Sequence, residues 1–493
     1  MLNLHFIRKV QLTVAILLFT MFQLQAQQYA ANWESLNKRK IPEWFHQDKF
    51  GIFIHWGLYA VPSYSLVIPD GYSEWYWCNY NDTSRHNHKA VKSFHDKIYG
   101  KDFTYDQFAP QFKAELFDPV QWANIFKNSG AKYVVLTSKH HEGFALWPSK
   151  EADASWGRTW NAVTTGPKRD VLGDLTTAVR NAGLKMGFYY SLLEWYNPLY
   201  LKNPAEYVDK VMMPQFKDLV TRYKPSVIFS DGEWVLEDTA WRSPELLAWL
   251  FNESPVKKDI VVNDRWGRNT RKKHAATYYT SEYGSGLDKN VVWEESRGMG
   301  ESYGYNRVER LADYKTGNEL ILILTDIVCK GGNLLLDIGP AADGTIPVIM
   351  EDRLTQMGNW LAVNGEAIFG TTAHTTEKQW SSGQRPSAKK GEYQTGYDVN
   401  ELVKKRTDGK AFVEMFFTRK GKQLYCIVPE YNTTITIRNV KPLPSSSIEI
   451  LGSGRQIPWK QVGKDVICDL SRLTPADLQH PIFTIKVSAA GDN

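Results

Sequence analysis

Five short apolar runs in this chain end on polar or charged residues, and that repeated form constrains the fold more than any other feature. They are Gly51-Ile-Phe-Ile-His55, Tyr133-Val-Val-Leu-Thr-Ser-Lys-His-His141, Lys185-Met-Gly-Phe-Tyr-Tyr190, Ser226-Val-Ile-Phe-Ser-Asp231 and Ile260-Val-Val-Asn-Asp-Arg265. A β-branched and aromatic run of this length reads as a buried strand. If the five lie parallel in one sheet, their polar ends meet around Asp231, which Gly232 follows at once.

Helical patterns fill the spaces between the runs. Helices are expected over 118–130, where Asp118-Pro119 supplies an N-cap and first-turn proline and Gly130 a stop, and over 170–182, 206–223, 243–252 and 307–329. A last helix reaches about Gly365. Further strands are expected over 277–280, 291–295 and 333–338, the first two too close together for a full crossover helix. Eight strands with mostly helical crossovers predict a TIM-like (β/α)₈ barrel, irregular around strands five to seven. An open doubly wound sheet is the alternative, but no Gly-rich nucleotide fingerprint follows any strand. Past about Phe369 the pattern changes to short alternating segments separated by Gly, Pro and Asn, which predicts a C-terminal antiparallel β-sandwich. The expected division is a leader over 1–26, a barrel over 27–370 and a sandwich over 371–493.

A chain of 493 residues has room for both units. Its net charge of +5 is spread among alternating signs, which argues against nucleic acid as a partner. Eighteen Trp and 25 Tyr provide the aromatic faces on which the C–H faces of sugars pack. Arg8 and Lys9, an apolar run over 12–22 and Leu24-Gln-Ala26 form the three regions of a secretory leader, so export is expected. The apolar run falls short of the ~20 residues a spanning helix needs, so no membrane association is expected after cleavage. Cys78, Cys329, Cys426 and Cys468 form no CxxC pair, and neither a zinc site nor a disulfide scaffold is suggested.

Barrel chemistry sits at the carboxyl ends of the strands, and those ends supply His55, His140, His141, Tyr189, Asp231, Arg265, Glu282 and Glu294. Each residue alone has a structural reading. Asp231 before glycine could be a turn residue, Arg265 could pair with Asp264 in its own loop, and Glu74-Trp75 could be a solvated acid beside a core indole. Adjacent histidines in a strand point to opposite faces, which is poor metal geometry. Two carboxylates among aromatics and imidazoles, with no metal or phosphate motif, suit glycoside hydrolysis. The rival Ser-His-Asp chemistry has no G-x-S-x-G elbow here.

The motifs Lys49-Phe-Gly-Ile-Phe-Ile-His-Trp-Gly57, Ser73-Glu-Trp-Tyr76, Thr137-Ser-Lys-His-His-Glu-Gly-Phe144, Phe188-Tyr-Tyr190, Ser230-Asp-Gly-Glu-Trp234, Val262-Asn-Asp-Arg-Trp266 and Lys330-Gly-Gly-Asn-Leu-Leu-Leu336 occur in one order over nearly the whole chain. In them the chain resembles the α-L-fucosidases of glycoside hydrolase family 29. The resemblance implies a barrel followed by a β-sandwich, no cofactor, a fucosylated glycan as substrate, and a retaining mechanism with Asp231 as nucleophile. It places the fucose pocket on His55, Glu74, Trp75, His140, His141, Tyr189 and Arg265, with Trp75, Phe229 and Tyr303 facing the C5 methyl and ring. Tyr279-Thr-Ser-Glu-Tyr283 resembles one family version of the acid/base segment and points to Glu282, with Glu294 as the alternative. Phe229 departs from the Trp that many members carry before the nucleophile. The compartment implied is periplasmic or extracellular, or lysosomal in an animal. Two other readings stay open: a fucose-binding protein with an inactive site, and an exo-hydrolase for β-galactosides or arabinosides.

Overall fold

The computed structural model describes residues 28–287, 289–387, 395–443, 445–488 and 490; the expected leader over 1–26 lies outside them. Eight parallel strands form one sheet: β1 (Phe50–Ile54), β2 (Tyr133–Lys139), β3 (Lys185–Ser191), β4 (Val227–Asp231), β5 (Val261–Val262), β6 (Tyr279–Glu282), β7 (Trp293–Gly298) and β8 (Asn333–Ile338). Their spatial order is β5-β4-β3-β2-β1-β8-β7-β6. The two ends of that order meet through a parallel bridge between Asn263 and Tyr278, where the Tyr278 amide donates to the Val262 carbonyl at 3.0 Å. The eight strands therefore close into the expected barrel. It is irregular at β5, which carries only two ladder residues.

Alternation along the strands separates two cores. Phe53, Tyr133, Val135, Tyr189, Val227, Phe229, Val261 and Leu335 fill the barrel interior, and Phe45 and Tyr278 join them. Ile52, Val134, Leu136, Phe188, Ile228, Leu334 and Leu336 face outward onto the helices. The main crossover helices are α1 (Pro119–Asn128), α2 (Val171–Asn181), α3 (Met213–Tyr223), α4 (Ser243–Asn252), α5 (Gly317–Cys329) and α6 (Val348–Asn364). Asp118 caps α1 by accepting from the Val120 and Gln121 amides, and Asp170 caps α2 through the Gly173 amide.

Several expectations are corrected. Strands six and seven lie about two residues later than the pattern suggested, because Ser281-Glu282 and Ser296-Arg297-Gly298 continue their ladders despite being polar. Glu294 is thus the second residue of β7 and not its carboxyl end. Residues 307–316 are not part of a long helix: a 3₁₀ turn covers Leu311–Asp313, and α5 starts only where Thr316 and Glu319 form a capping box. The long connection after β1 is built largely of short helices, including His88–Ile98. The helix expected over 206–223 carries a π-turn at Val208–Met212 before α3.

Beyond the barrel lie two antiparallel sheets. One holds β9 (Thr372–Trp380), β10 (Val413–Lys420), β11 (Gln423–Val428), β13 (Ile448–Ile450) and β16 (Phe483–Val487) in the order β13-β16-β11-β10-β9. The other holds β12 (Thr434–Ile437), β14 (Trp459–Val462) and β15 (Asp465–Asp469) in the order β12-β15-β14. The sequence pattern did not reveal β9 or β14, whose residues are mostly exposed or half-exposed and so lack an apolar alternation. Met415, Phe417, Cys426, Ile435, Cys468 and Ile485 pack between the sheets. Phe416, Tyr425 and Ile427, on the opposite face of the larger sheet, join the core that covers the barrel helices. Trp360 of α6 donates from Nε1 to the Ile482 carbonyl at 2.8 Å across this junction.

Candidate active site

The strands deliver their last inward residues to a cavity of about 290 Å³ at the carboxyl end of the barrel. That volume is at the small end for ligand sites, the size class of a single sugar. Asp231, Phe229 and Val227 are alternate residues of β4, so packing of Val227 and Phe229 in the interior fixes the direction of the Asp231 carboxyl. The chain then leaves through Gly232 at φ +73°, where an added Cβ would meet Ser191 Oγ at 2.9 Å and Leu193 Cγ at 3.0 Å. Only glycine fits both the backbone angle and the space.

The Asp231 carboxylate, 8% exposed, is held on both oxygens. Arg265 Nη1 donates to Oδ1 at 2.8 Å and the Tyr189 hydroxyl to Oδ2 at 2.9 Å. His141 Nε2 lies 3.5 Å from Oδ2. Burial alone would raise the Asp231 carboxyl, but the Arg265 charge and the His141 and Arg265 contacts together hold it well below the usual carboxylate range. Arg265 does not pair with Asp264, as one structural reading had it. Its other η nitrogen binds Glu282 Oε1, and its Nε donates to Thr280 Oγ1 at 3.1 Å. Asp264 is occupied elsewhere, accepting from the Thr280 and Lys272 amides. One guanidinium therefore joins the carboxylates of β4 and β6.

The imidazoles are fixed from behind. His55 Nδ1 is 2.6 Å from Asp337 Oδ1, which commits that nitrogen and leaves Nε2 to the cavity. Burial lowers the His55 imidazole well below its ordinary value and raises Asp337. His141 Nδ1 is 2.6 Å from Ser191 Oγ, which is itself 2.6 Å from the Leu193 carbonyl, so the ring is fixed on that side. Burial, with the neighbouring His140, lowers His141 to about 4, and its Nε2 is left facing Tyr189 and Asp231. His140 and His141 lie just past the end of β2, where strand alternation no longer applies, and their rings sit side by side with centroids 4.2 Å apart. Glu74 is buried at the cavity wall, where its Oε2 accepts from the Gly304 amide at 2.9 Å and Ser302 Oγ at 3.2 Å, and burial raises its carboxyl.

Aromatic rings make up the rest. Phe229 stacks on Tyr189 and lies under the Arg265 guanidinium, 4.8 Å from it. Tyr303 packs against His55 with centroids 4.9 Å apart. Trp75 leans on Trp195 and on Trp234, which is 38% exposed at the rim.

Of the residues expected from sequence, His55, Glu74, Trp75, His140, Tyr189, Phe229, Asp231, Arg265, Glu282 and Tyr303 line this cavity, and His141 stands behind it against Asp231. Glu294 is not brought to the cavity. Its Oε2 accepts from the Tyr133 hydroxyl at 2.5 Å, and Tyr133 is the first residue of β2, so the pair lies toward the amino end of the barrel interior. Sequence reasoning missed Phe53, Asp70, Tyr72, Trp234 and Ser296 in the lining, and Asp337 behind His55. Trp234 stood in the quoted motif after Asp231, and the period-2 pattern of β8 points Asp337 inward with Leu335; Asp70 and Tyr72 carried no such signal. Among the described residues no cluster of His, Cys, Asp or Glu is arranged to hold a metal ion, and no helix is long and apolar enough to cross a membrane.

Comparison with known proteins gives concordant matches. Residues 16–366 match the family model described as Alpha-L-fucosidase. The Alpha-L-fucosidase of Dictyostelium discoideum is 46% identical over 358 residues, 71% of this chain and 76% of that protein. The Tissue alpha-L-fucosidase of Bos taurus is 37% identical over 476 residues, 93% of this chain and 91% of that one. The crystal structure of Thermotoga maritima alpha-fucosidase in complex with fucose superposes with a TM-score of 0.73 at 33% identity, covering 93% of this chain and all of that one.

Proposed function

From the premise that this chain belongs to the α-L-fucosidase family of glycoside hydrolases, we propose that its cavity removes terminal α-L-fucose from oligosaccharides and glycoconjugates by a retaining double displacement. Asp231 is the nucleophile and Glu282 the acid/base. The observation that carries the reading is the guanidinium of Arg265, which binds a carboxylate oxygen of each. Two carboxylates on one guanidinium are suited to the ~5–5.5 Å spacing of retaining enzymes, and less to the ~6.5–9.5 Å that admits a water between them.

In the first step an Asp231 oxygen attacks the anomeric carbon. The bond from that carbon to the aglycone oxygen breaks, and Glu282, which enters this step protonated and so released from its ion pair with Arg265, gives the oxygen its proton. Asp231 is ready for this because the Arg265 charge and the Tyr189 hydroxyl keep it ionised. Ester formation removes the Asp231 charge and leaves the Arg265 cation to Glu282. In the second step Glu282 takes a proton from water, the water attacks the same carbon, and Asp231 departs as carboxylate.

His55 Nε2, His140, His141 Nε2 and Glu74 are placed to exchange hydrogen bonds with the sugar hydroxyls. Trp75, Phe229 and Tyr303 offer an apolar wall to the C5 methyl, worth about 1–3 kcal/mol against a sugar carrying a 6-hydroxyl. The fucose complex of the Thermotoga maritima enzyme supports fucose as the occupant. The domain division near residue 370 and export through cleavage after Ala26 belong to the same proposal, and amino-terminal sequencing of the secreted protein tests the latter.

The function is tested by assaying wild type, Asp231→Gly and Glu282→Ala on an activated aryl α-L-fucoside with and without azide. Expected are a nearly inactive Asp231→Gly rescued as β-fucosyl azide, and a Glu282→Ala variant that gives α-fucosyl azide. A wild type that binds fucose but hydrolyses no fucoside overturns the reading in favour of a sugar-binding protein.

A further inference from the structure

Glu282 is the last residue of β6, and the turn after it is held more firmly than a surface loop requires. Tyr283 sits at φ +48°, in the left-handed region that a bulky side chain adopts only when its surroundings impose it. Those surroundings are specific. The Tyr283 hydroxyl accepts from the Gly298 amide at 2.8 Å, and the Arg297 guanidinium lies 5.5 Å from the centre of its ring. The Gly284 amide donates to Glu295 Oε1 at 2.9 Å, and the Gly284 carbonyl accepts from Arg297 Nη2 at 3.3 Å.

The Ser285 carbonyl is reached from outside the active-site strands. Lys330, just past α5, donates to it from Nζ at 2.7 Å. The same ammonium binds Asp326 Oδ2 at 2.6 Å, and Asp326 Oδ1 lies 2.5 Å from Lys378 Nζ. Tyr397 closes the group, within 3.2 Å of Lys330 Nζ and 2.9 Å of Lys378 Nζ, and its hydroxyl donates to Asp326. Lys378 belongs to β9, where it pairs with Phe416 of β10 in the C-terminal sheet. A second contact runs beside the first, from Lys289 Nζ to the Thr375 carbonyl of β9 at 3.3 Å.

Two ammonium groups around one buried carboxylate are an expensive way to join two layers, since apolar residues of similar volume fill such a junction at no desolvation cost. What the ions add is direction: Lys330 Nζ stands at a defined distance from one carbonyl of the turn after Glu282. We propose that Lys330 and Lys378 are positioning residues for the Glu282 carboxyl, so that the C-terminal sheet takes part in proton donation to the leaving group. The inference rests on Glu282 as the proton donor.

The test uses the dependence on the leaving group, which a general loss of folding does not alter. Proton donation matters most for aglycones that leave poorly, and its removal typically costs about 10²–10⁴-fold. Lys330→Met, Lys378→Met and the conservative Lys378→Arg are assayed in the full chain on aryl α-L-fucosides from dinitrophenyl to unsubstituted phenyl and on a fucosylated disaccharide, with Glu282→Ala as reference. The expected result is a loss of about 10-fold or more for the two Met variants on phenyl fucoside and the disaccharide, less than about 3-fold on the dinitrophenyl compound, and recovery in Lys378→Arg. Equal loss on all substrates, or no loss on the poor ones, overturns the proposal. Should Lys330→Met not fold, Tyr397→Phe and Lys378→Met carry the same comparison. If Glu282→Ala itself shows no leaving-group dependence, the assignment of the acid fails, and the anchor loses its role with it.

Discussion

Asp231 and Glu294 are both buried carboxyls that project into one barrel, yet the upper is held as an anion and the lower is pushed toward its neutral form. Asp231 ends β4 beside Arg265, Tyr189 and His141, and it stays ionised far into acid. Glu294 points inward from β7 two residues before Ser296, which lines the cavity, so it lies about 6.6 Å deeper along the strand. The Tyr133 hydroxyl donates to its Oε2, the Tyr278 hydroxyl lies beside it, and burial outweighs both and raises its carboxyl to about 7. The contrast shows what a barrel does to an acid. Burial costs the charge in either layer, and the nearest cation decides whether the cost is met. Arg265 enters from the loop after β5 and spans β4 and β6, so it binds the upper carboxylates directly and reaches Glu294 only through its field.

The largest effect should come from breaking the upper layer at its centre. Asp231→Asn keeps the shape and removes the charge and the proposed nucleophile, and kcat/KM on an aryl fucoside is expected to fall by about 10⁴-fold or more with little change in Tm. Arg265→Met removes the cation that separates the two layers. It leaves Asp231 and Glu282 without their shared partner and should cost about 3–5 kcal/mol of stability, read by denaturant titration, together with most of the activity.

Glu294→Gln tests the lower layer. Below pH 4.5 the carboxyl is protonated in both the folded and the unfolded chain, and its titration contributes no difference. Between 4.5 and 7 the unfolded chain releases a proton that the native state still holds, so wild-type stability declines as pH rises. The variant lacks this slope. Its advantage over wild type should grow through that window to about 3 kcal/mol and level off above 7, with activity changed by no more than a few-fold. Activity lost with Glu294→Gln but kept with Glu282→Ala on a poor leaving group would move the proton donor to the lower layer. The smallest effect is expected from Gly232→Ala, which forces a Cβ onto the turn at φ +73° and against Ser191 Oγ and should lower stability by about 1–2 kcal/mol with a few-fold loss of kcat.

The legible parts of the sequence were those where local chemistry and global fold agree. Strands such as Val227–Asp231 and Asn333–Ile338 are apolar on both faces, so their type and place could be read directly, and alternation then aims Asp231 inward. β6 and β7 were misplaced because their upper halves are polar: the residues that make the site, Glu282 and Ser296, are the ones that hide its strands. The same shift made Glu294 look like a strand end. Long-range partners left no local trace at all. Nothing near Arg265 in sequence announces that it joins Asp231 to Glu282, and nothing near Lys378 announces an ion pair with Asp326 of α5. Such pairs are set by the closure of the barrel and the docking of the second sheet, which a single sequence does not display.

The central claim is that Asp231 carries the fucosyl group between the two steps. Wild type treated with a 2-deoxy-2-fluoro-fucosyl fluoride, which slows release of the ester more than its formation, should gain the mass of one fluorofucosyl group, and digestion should place it on the peptide containing Asp231. A label on any other residue, or no label while the reagent is turned over, would contradict the account.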